Sequence, residues 1–458
     1  MLFDRIFERF ASKTPVTVML RGILERALDP APLDRLFADT AERQYTRELL
    51  FSTTVDLMAN VACRIQPSVH AGYQEDRERV AVSVRALYDK LACTETALSE
   101  ALVRHTASVL KPLRRRLGGT QAPLVEGYSA KILDGNHLAA SQRRLQGLRD
   151  SAAGGLPGQT LVVLEPEYQL ATDVFCCEDG HAQERSMLDR VIERVEAKDL
   201  YIADRNFCTT GFLFGLAKRE ACFVIRQHAS TLSWERQSKK RRVGRIAEGV
   251  VYQRTLWLTN DEGRTLRVRQ VTLVLDVPTR DGETEIRVLT NLPRSAVTAK
   301  RAVQLYRQRW GIEGLFLNLT TVLNCEMNTL PYPKAALFGF CVALAAGNAL
   351  ATVKGALAAV HGAEKIEEEV SNYHLATEMR GKYQGMMVAL PPEEWAGLRE
   401  MGEGEFADWL LGLARRVNLG RFPKSKRGPK KPRLRRTRFA GKKHIATARL
   451  LAGTYDKK

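Results

Sequence analysis

The spacing of apolar residues changes three times along the chain. Residues 1 to about 125 carry apolar positions at three- and four-residue intervals, which predicts helices. From about residue 128, short apolar runs alternate with amphipathic stretches, which predicts a mixed α/β sheet covered by helices. Residues 228–292 are rich in strand and hairpin signals and predict an all-β insertion. Helical spacing returns from about residue 296 and continues to about 417.

These changes predict the domain boundaries. The first helical region contains two consecutive helices, Ser83–Leu91 and Ala97–Leu110, followed by the basic stretch Arg114–Arg116. The pair could be a helix-turn-helix that reads a major groove or a packing hairpin. The predicted units are a helical N-terminal region 1–125, the first part of an α/β core 126–227, the insertion 228–292, the remainder of the core 293–350, a helical C-terminal region 351–418 and a basic tail 419–458.

The positive charge is concentrated in the tail. From Arg415 to Lys458 there are 17 Lys and Arg against one Asp, so this segment carries +16 of the formal net charge of +18. Such a segment suits a polyanion, most simply nucleic acid, and the alternative is a solvated basic end. The most apolar run, residues 335–350, is shorter than a membrane span and predicts a buried helix, so no membrane association is expected.

Cysteine spacing and the first residues of the chain bear on the compartment. The eight cysteines show no zinc-binding spacing, which predicts free thiols in a reducing cytoplasm. The first residues have acids within their apolar stretch and lack the layout of a signal peptide. Together these features predict a cytoplasmic protein.

Candidate chemistry lies in the helix predicted over residues 296–323. Tyr306, Arg309 and Glu313 fall at i, i+3 and i+7, on one face of that helix. Asp134 and Asp204 each follow a short apolar run and would emerge at strand ends. Taken singly, Asp134 could form a turn, Asp204 could cap a helix and Glu313 could pair with Arg309. Three converging carboxylates would suit divalent metal ions and phosphodiester chemistry.

The same residues resemble the DDE-class insertion-sequence transposases of bacteria, specifically the insertion-sequence-four group. The signature of that group is Tyr, two residues, Arg, three residues, Glu, six residues, Lys (YREK), and Tyr306, Arg309 and Glu313 match its first three positions. The segments Asp134–His137 and Ala203–Phe207 resemble the surroundings of the two catalytic aspartates. Thr320 stands where the signature has Lys.

The resemblance implies a ribonuclease H-like catalytic core with an all-β insertion, flanked by helical N- and C-terminal regions. It implies that Asp134, Asp204 and Glu313 bind two Mg²⁺ or Mn²⁺ ions and catalyse cleavage of DNA at element ends and strand transfer into target DNA. Tyr306, Arg309 and residue 320 would hold the DNA. The expected partner is double-stranded DNA, with a homodimer assembling on it near the bacterial nucleoid.

Further DNA contacts are expected from two basic segments, one at the start of the β insertion and one in the tail. These residues are Lys239, Lys240, Arg241 and Arg242, and Lys426, Arg427, Lys430 and Lys431. Two other functions remain open: a catalytically silent DNA-binding remnant of a transposase, because a threonine cannot neutralise a phosphate, and a non-transposing DNA nuclease of the same fold.

Overall fold

The structure is a computed structural model that describes residues 5–44, 48–138, 154–228, 232–279, 282–425 and 444–453, with Leu145 and Leu148.

The N-terminal region is helical, as its apolar spacing predicts. The helices before the first strand are α1 Arg5–Lys13, α2 Pro15–Ala27, α3 Pro30–Thr40, α4 Phe51–Ala62, α5 Val69–Glu75, α6 Arg77–Val80, α7 Val84–Cys93 and α8 Thr96–Leu117.

The middle of the chain forms a mixed α/β structure. Its elements are β1 Ser129–Leu138, β2 Gly154–Leu156, β3 Gly158–Glu165, β4 Leu170–Cys177, α9 Leu188–Glu193, β5 Asp199–Ala203, α10 Thr210–Lys218, β6 Cys222–Arg226, β7 Trp234–Gln237, β8 Arg241–Ile246, β9 Gly249–Thr259, β10 Thr265–Leu275 and β11 Glu285–Thr290. The predicted α/β class is confirmed, whereas the ribonuclease H-like assignment remains a prediction.

One ten-stranded sheet organises this part of the molecule. Its order is β4-β3-β1-β5-β6-β11-β10-β9-β7, and β8 also pairs with β9. β1 runs antiparallel to β3 and parallel to β5, and β5 runs parallel to β6. Because side chains alternate along a strand, β5 contributes Leu200 and Ile202 to one hydrophobic core and Tyr201 and Ala203 to the other. Both faces of the central strands are therefore covered.

The expectation of a separate β lobe is corrected. Residues 234–290 do form strands, but β11 pairs with β6 from Val288↔Arg226 to Thr290↔Val224. The long hairpin of β9 and β10 continues outward from β11 in the same sheet. Without β11, the backbone N–H and C=O groups along one edge of β6 would be unpaired, and such an edge readily pairs with a further strand. The insertion thus extends the sheet that carries the candidate carboxylates.

The hypothesis of a helix-turn-helix is also corrected. α8 has 22 residues, twelve of them buried, and packs against β4 and a later helix, so it cannot enter a DNA groove. Arg114 is buried, and its guanidinium donates hydrogen bonds to the carbonyl oxygens of Tyr168 and Gly119. Arg115 donates to the Tyr168 hydroxyl. These two arginines of the basic stretch therefore form hydrogen bonds within the protein.

The C-terminal part is mainly helical. The helices are α11 Ala299–Arg307, α12 Trp310–Thr321, α13 Pro333–His361, α14 Ala363–Glu369, α15 Asn372–Ala389, α16 Pro392–Trp395, α17 Gly397–Glu400 and α18 Glu403–Arg415. Among the described residues, α13 alone is long and apolar enough to cross a membrane, but 83% of its most apolar window is buried inside the fold. It packs against α8, β4 and the N-terminal helices as a core helix.

Residues 444–453, within the predicted tail, form a short strand and a short helix. β12, His444–Ala446, pairs in parallel with β2, and α19, Thr447–Leu451, follows it. Ile445 and Ala446 are buried, and Arg449 forms an ion pair with Asp179 at 2.7 Å. The predicted DNA contacts Lys426, Arg427, Lys430 and Lys431 lie outside the described residues.

Candidate active site

Asp134 and Asp204 lie side by side on neighbouring parallel strands. The pairing of β1 with β5 ends at Leu133↔Ala203, and each aspartate is the next residue of its strand or its extension. Asp204 directly follows β5, as predicted. Asp134 lies within β1, which continues to Leu138 in antiparallel pairing with β3. Asp134 is therefore a strand residue and not part of a turn.

Asp204 also caps the short 3₁₀ turn Arg205–Phe207. Its side chain accepts a hydrogen bond from the Asn206 backbone N–H at 2.7 Å. The capping role considered from the sequence is thus present, and it fixes the direction of the carboxylate. One Asp204 oxygen accepts this hydrogen bond. The negative charge of Asp204 raises the pKa of both Asp134 and Glu184.

The predicted helix over 296–323 is interrupted beside Arg309. α11 ends at Arg307 and α12 begins at Trp310, so Tyr306 and Glu313 belong to different helices. The break does not separate them from the aspartates, since Arg309 Nη1 donates to Asp134 Oδ2 at 2.9 Å and Nη2 donates to Glu313 Oε1 at 2.8 Å. One guanidinium spans two of the three predicted carboxylates.

The three signature residues differ in exposure. Tyr306 is buried, and Arg226 donates a hydrogen bond to its phenolic oxygen. The Arg309 side chain is 15% exposed, whereas that of Glu313 is 56% exposed. Burial raises the pKa of the Tyr306 hydroxyl, and Arg309 and Arg226 oppose that rise. The phenol and guanidinium are fixed by the protein, while the Glu313 carboxylate faces solvent.

The surroundings of Asp134 alter its acidity. Burial raises its pKa from 3.8 to about 6, against the effect of Arg309, and Asp204 and Glu184 add to the rise. A carboxyl group beside further carboxylates has an unfavourable charge that a cation would relieve. Perturbed acidity of this kind is typical of functional sites.

Glu184 is part of this cluster and was not predicted. It begins a 3₁₀ turn at Glu184–Met187, and its Oε2 accepts a hydrogen bond from the Asn206 side chain. Burial raises its pKa, and Asp204 contributes. A Cβ at Gly135 would lie 1.9 Å from Glu184 Oε1, so a larger residue would require the Glu184 side chain to move. The Asp-Gly pair was one available signal, but it reads equally well as a turn.

The Thr320 hydroxyl is bonded to the backbone of its own helix. Its Oγ1 donates to the backbone carbonyls of Phe316 and Leu317, and the residue is exposed near the end of α12. Arg64 Nη2 donates to the carbonyl oxygens of Thr320, at 3.1 Å, and Leu323, at 2.9 Å. The Arg64 guanidinium, from the segment that follows α4, therefore lies next to residue 320, where the signature has Lys.

The basic segment at the insertion lies on the extended sheet. Lys239 and Lys240 precede β8, and Arg241 and Arg242 are its first residues, paired with Gln253 and Tyr252 of β9. Lys240 Nζ lies 4.9 Å from the centre of the Tyr252 ring. All four residues are exposed, as a surface that contacts DNA requires.

The carboxylate oxygens of Asp134, Asp204 and Glu313 suit a hard divalent cation. In this structure they are not arranged around a common metal position. Carboxylate oxygens are the ligands that Mg²⁺ prefers, and the raised pKa of Asp134 shows that its negative charge lacks full compensation. Within the described residues, no group of three or more His, Cys, Asp or Glu side chains is positioned to hold a metal ion. Arg309 instead lies between Asp134 and Glu313.

Part of the chain matches a known family model. Residues 153–346 match the family model described as "Transposase DDE domain". The matched segment includes Asp204, Arg309 and Glu313 and begins after Asp134. This match supports a DDE-type transposase, a class whose catalytic domains generally use divalent metal ions.

Other comparisons add less. No curated protein matches the chain. A cryo-EM structure of the piggyBac transposase synaptic complex with hairpin DNA aligns over 92% of this chain and 86% of that chain, with a TM-score of 0.35 and 9% sequence identity. Similarity at this level does not establish a common fold.

Proposed function

We propose that this protein is a bacterial transposase of the insertion-sequence-four group that cleaves DNA at the ends of its element and joins those ends to target DNA. The observation that carries the proposal is the contact of Arg309 with both Asp134 and Glu313, next to Asp204, in a chain that matches the DDE domain. The protein would act in the cytoplasm near the nucleoid, as a homodimer on double-stranded DNA.

Asp134, Asp204 and Glu313 would hold two Mg²⁺ or Mn²⁺ ions, which when bound polarise the scissile phosphodiester and lower the pKa of an attacking water or hydroxyl. The protein supplies the positions of the groups. The parallel pairing of β1 and β5 fixes Asp134 beside Asp204, and the Asn206 backbone fixes the Asp204 carboxylate. The exposed Glu313 carboxylate is the one that can turn toward them.

Arg309 would exchange its carboxylate partners for a DNA phosphate. Its Nε is buried without a hydrogen-bond acceptor among the described residues, so the guanidinium retains donor capacity. A planar guanidinium binds two phosphate oxygens at once, which both orients and neutralises the strand. In the absence of DNA, the same residue would keep the carboxylates from repelling one another.

Tyr306 would set the position of Arg309 and of the strand. Its phenolic oxygen accepts a hydrogen bond from Arg226, which also pairs with Glu283. A phenol held in this way can donate one hydrogen bond to a phosphate oxygen, whereas its buried ring is not available to stack on a base. The buried ring anchors the end of α11 at the carboxylate cluster.

The test is a cleavage assay on DNA that contains the coding region with its genomic flanks. The wild-type protein should nick at the outer borders of flanking inverted repeats, with Mg²⁺ and not with Ca²⁺ or EDTA. Asp204→Asn should abolish nicking while it retains DNA binding, because asparagine preserves the cap of the 3₁₀ turn and removes only the charge. Asp276→Asn, which changes an exposed carboxylate paired with Arg245, is the matched control and should cleave normally.

A catalytically silent remnant is the second candidate, favoured by Thr320 at the signature lysine position. It predicts sequence-specific binding to the repeats with no nicking in Mg²⁺ or Mn²⁺. A nuclease of the same fold would cut DNA irrespective of the flanks. The three outcomes are distinct in the one assay.

A further inference from the structure

A basic cavity lies on the extended part of the sheet, away from the carboxylate cluster. Its volume is about 560 Å³, and its walls come from β8, β9, β10 and the start of α11. Six of the lining residues are cationic and none is acidic: Lys239, Arg241, Arg242, Arg254, Arg269 and Arg294. A concave surface with one sign of charge concentrates ions of the opposite sign.

Arg269 is the unusual member of this set. It belongs to β10, is 7% exposed, and donates from Nε to the Leu292 carbonyl at 3.0 Å. Its Nη1 and Nη2 have no hydrogen-bond partner among the described residues. Burial, followed by the nearby charge of Arg294, lowers the pKa of its guanidinium to about 10. A buried cation with two unused donor atoms is costly unless an anion compensates it.

Two further features of the lining favour an anion in the cavity. Thr298 caps α11 by accepting from the Arg301 backbone N–H, and Thr298 and Ala299 line the cavity. The first backbone N–H groups of a helix and its dipole favour an anion. Gln253, with its amide oxygen toward Arg294, accepts from Nη2 at 2.8 Å and from Nε at 3.2 Å, which holds that guanidinium at the rim.

We propose that this cavity binds a phosphate group of the DNA strand that enters the active site, with Arg269 and Arg294 as its main ligands. The inference rests on the proposed function, because it takes the occupant to be DNA. α11 connects the two places: Thr298 precedes Tyr306 by eight residues, a rise of about 12 Å along the helix. That span corresponds to about three to four nucleotides of one strand. The cavity thus fixes the strand at a set distance from the carboxylates.

The experiment measures binding of the full-length protein to a labelled random-sequence duplex in EDTA over a range of salt concentrations. Arg269→Gln and Arg294→Gln should each lower the affinity about tenfold. They should also reduce the slope of log affinity against log salt by about 0.9 for each phosphate that the variant no longer neutralises. Arg264→Gln is the control, since Arg264 lies on the turn between β9 and β10, pairs with Glu262 and does not line the cavity.

A second measurement separates DNA from free phosphate as the occupant. Inorganic phosphate should raise the melting temperature of the wild type and not that of Arg269→Gln. If this shift occurs while neither arginine variant alters DNA affinity, the cavity takes a free anion and the DNA assignment is wrong. If Arg269→Gln does not fold, because it replaces a buried residue, the test can still be made with Arg294→Gln, which replaces an exposed one.

The remaining outcomes are also decisive. Wild-type affinity and salt slope in both cavity variants would overturn the inference and leave the proposed function standing. An equal loss in Arg264→Gln would assign the effect to net charge alone and would overturn it too. If the wild type does not bind duplex DNA, the proposed function itself fails.

Discussion

The Glu184 carboxylate lies so close to Gly135 that a Cβ on residue 135 would stand 1.9 Å from its Oε1. This contact explains a glycine inside a strand, where glycine normally weakens the structure. It also brings a fourth carboxylate next to Asp134 and Asp204, and the charge of Glu184 adds to the raised pKa of Asp134. The position of Glu184 is therefore coupled to the backbone of β1.

Gly135→Ala should displace Glu184 and with it Asn206, to which Glu184 is hydrogen-bonded. Because Asn206 also donates its backbone N–H to Asp204, we expect Mg²⁺-dependent cleavage to fall about a hundredfold. DNA binding in EDTA should not change. Gly211→Ala is the control, since a Cβ there meets nothing within 4 Å. Normal cleavage by Gly135→Ala would show that Glu184 has no influence on the site.

Asp134→Asn should change how stability depends on pH in metal-free buffer. The folded-state pKa of Asp134 is about 6, above its ordinary value, so the folded protein binds this proton more tightly than the unfolded chain. The wild type should then lose up to about 3 kcal/mol of stability as the pH rises from about 4 to 6. The asparagine variant should lack this decline. Urea unfolding at pH 4, 6 and 8 measures it, and parallel profiles for both proteins would contradict the prediction.

Thr320→Lys should increase end cleavage or strand transfer, by about tenfold if the ammonium contacts the transferred strand. Thr320 is seven residues after Glu313 in α12, on nearly the same face, and is exposed, so lysine fits without repacking. Thr321→Lys is the matched control because its side chain is rotated by about 100° around the helix. An equal gain in both variants would reflect general charge, and no gain would leave Arg64 as the cation that already serves this position.

Neutralising the tail should weaken DNA binding without changing sequence preference. Replacing Lys426, Arg427, Lys430 and Lys431 by Gln removes charges that would meet phosphates, so specific and random duplexes should lose affinity alike. The salt slope should fall by about 0.9 for each phosphate that the tail no longer neutralises. Truncation after Asn418 is a poorer test, since it also removes β12 from its pairing with β2. An unchanged slope would point to a protein partner for the tail.

Much of the local structure follows from the sequence. The pattern of apolar residues predicted the helical N-terminal region, the strands β1, β3 and β5 and the β-rich stretch. A helix that buries one face has apolar residues every three or four positions, whereas a strand covered on both faces is a short continuous apolar run. The strand-end position of Asp204 could likewise be predicted. The same prediction for Asp134 was wrong, because β1 continues to Leu138, and Asp134 lies near Asp204 through the parallel pairing of β1 with β5. The alternation of strands and helices was enough to predict the α/β class.

Only the tertiary structure decided the rest. The break between α11 and α12 and the merging of β11 with β6 depend on packing and strand pairing that no local pattern encodes. Glu184 and Arg269 look like ordinary surface charges in sequence. Their environment comes from residues that are distant along the chain: Gly135 and Asn206 for Glu184, and Leu292 and Arg294 for Arg269. Electrostatic coupling depends on separation in space, and that separation is fixed only when the chain folds.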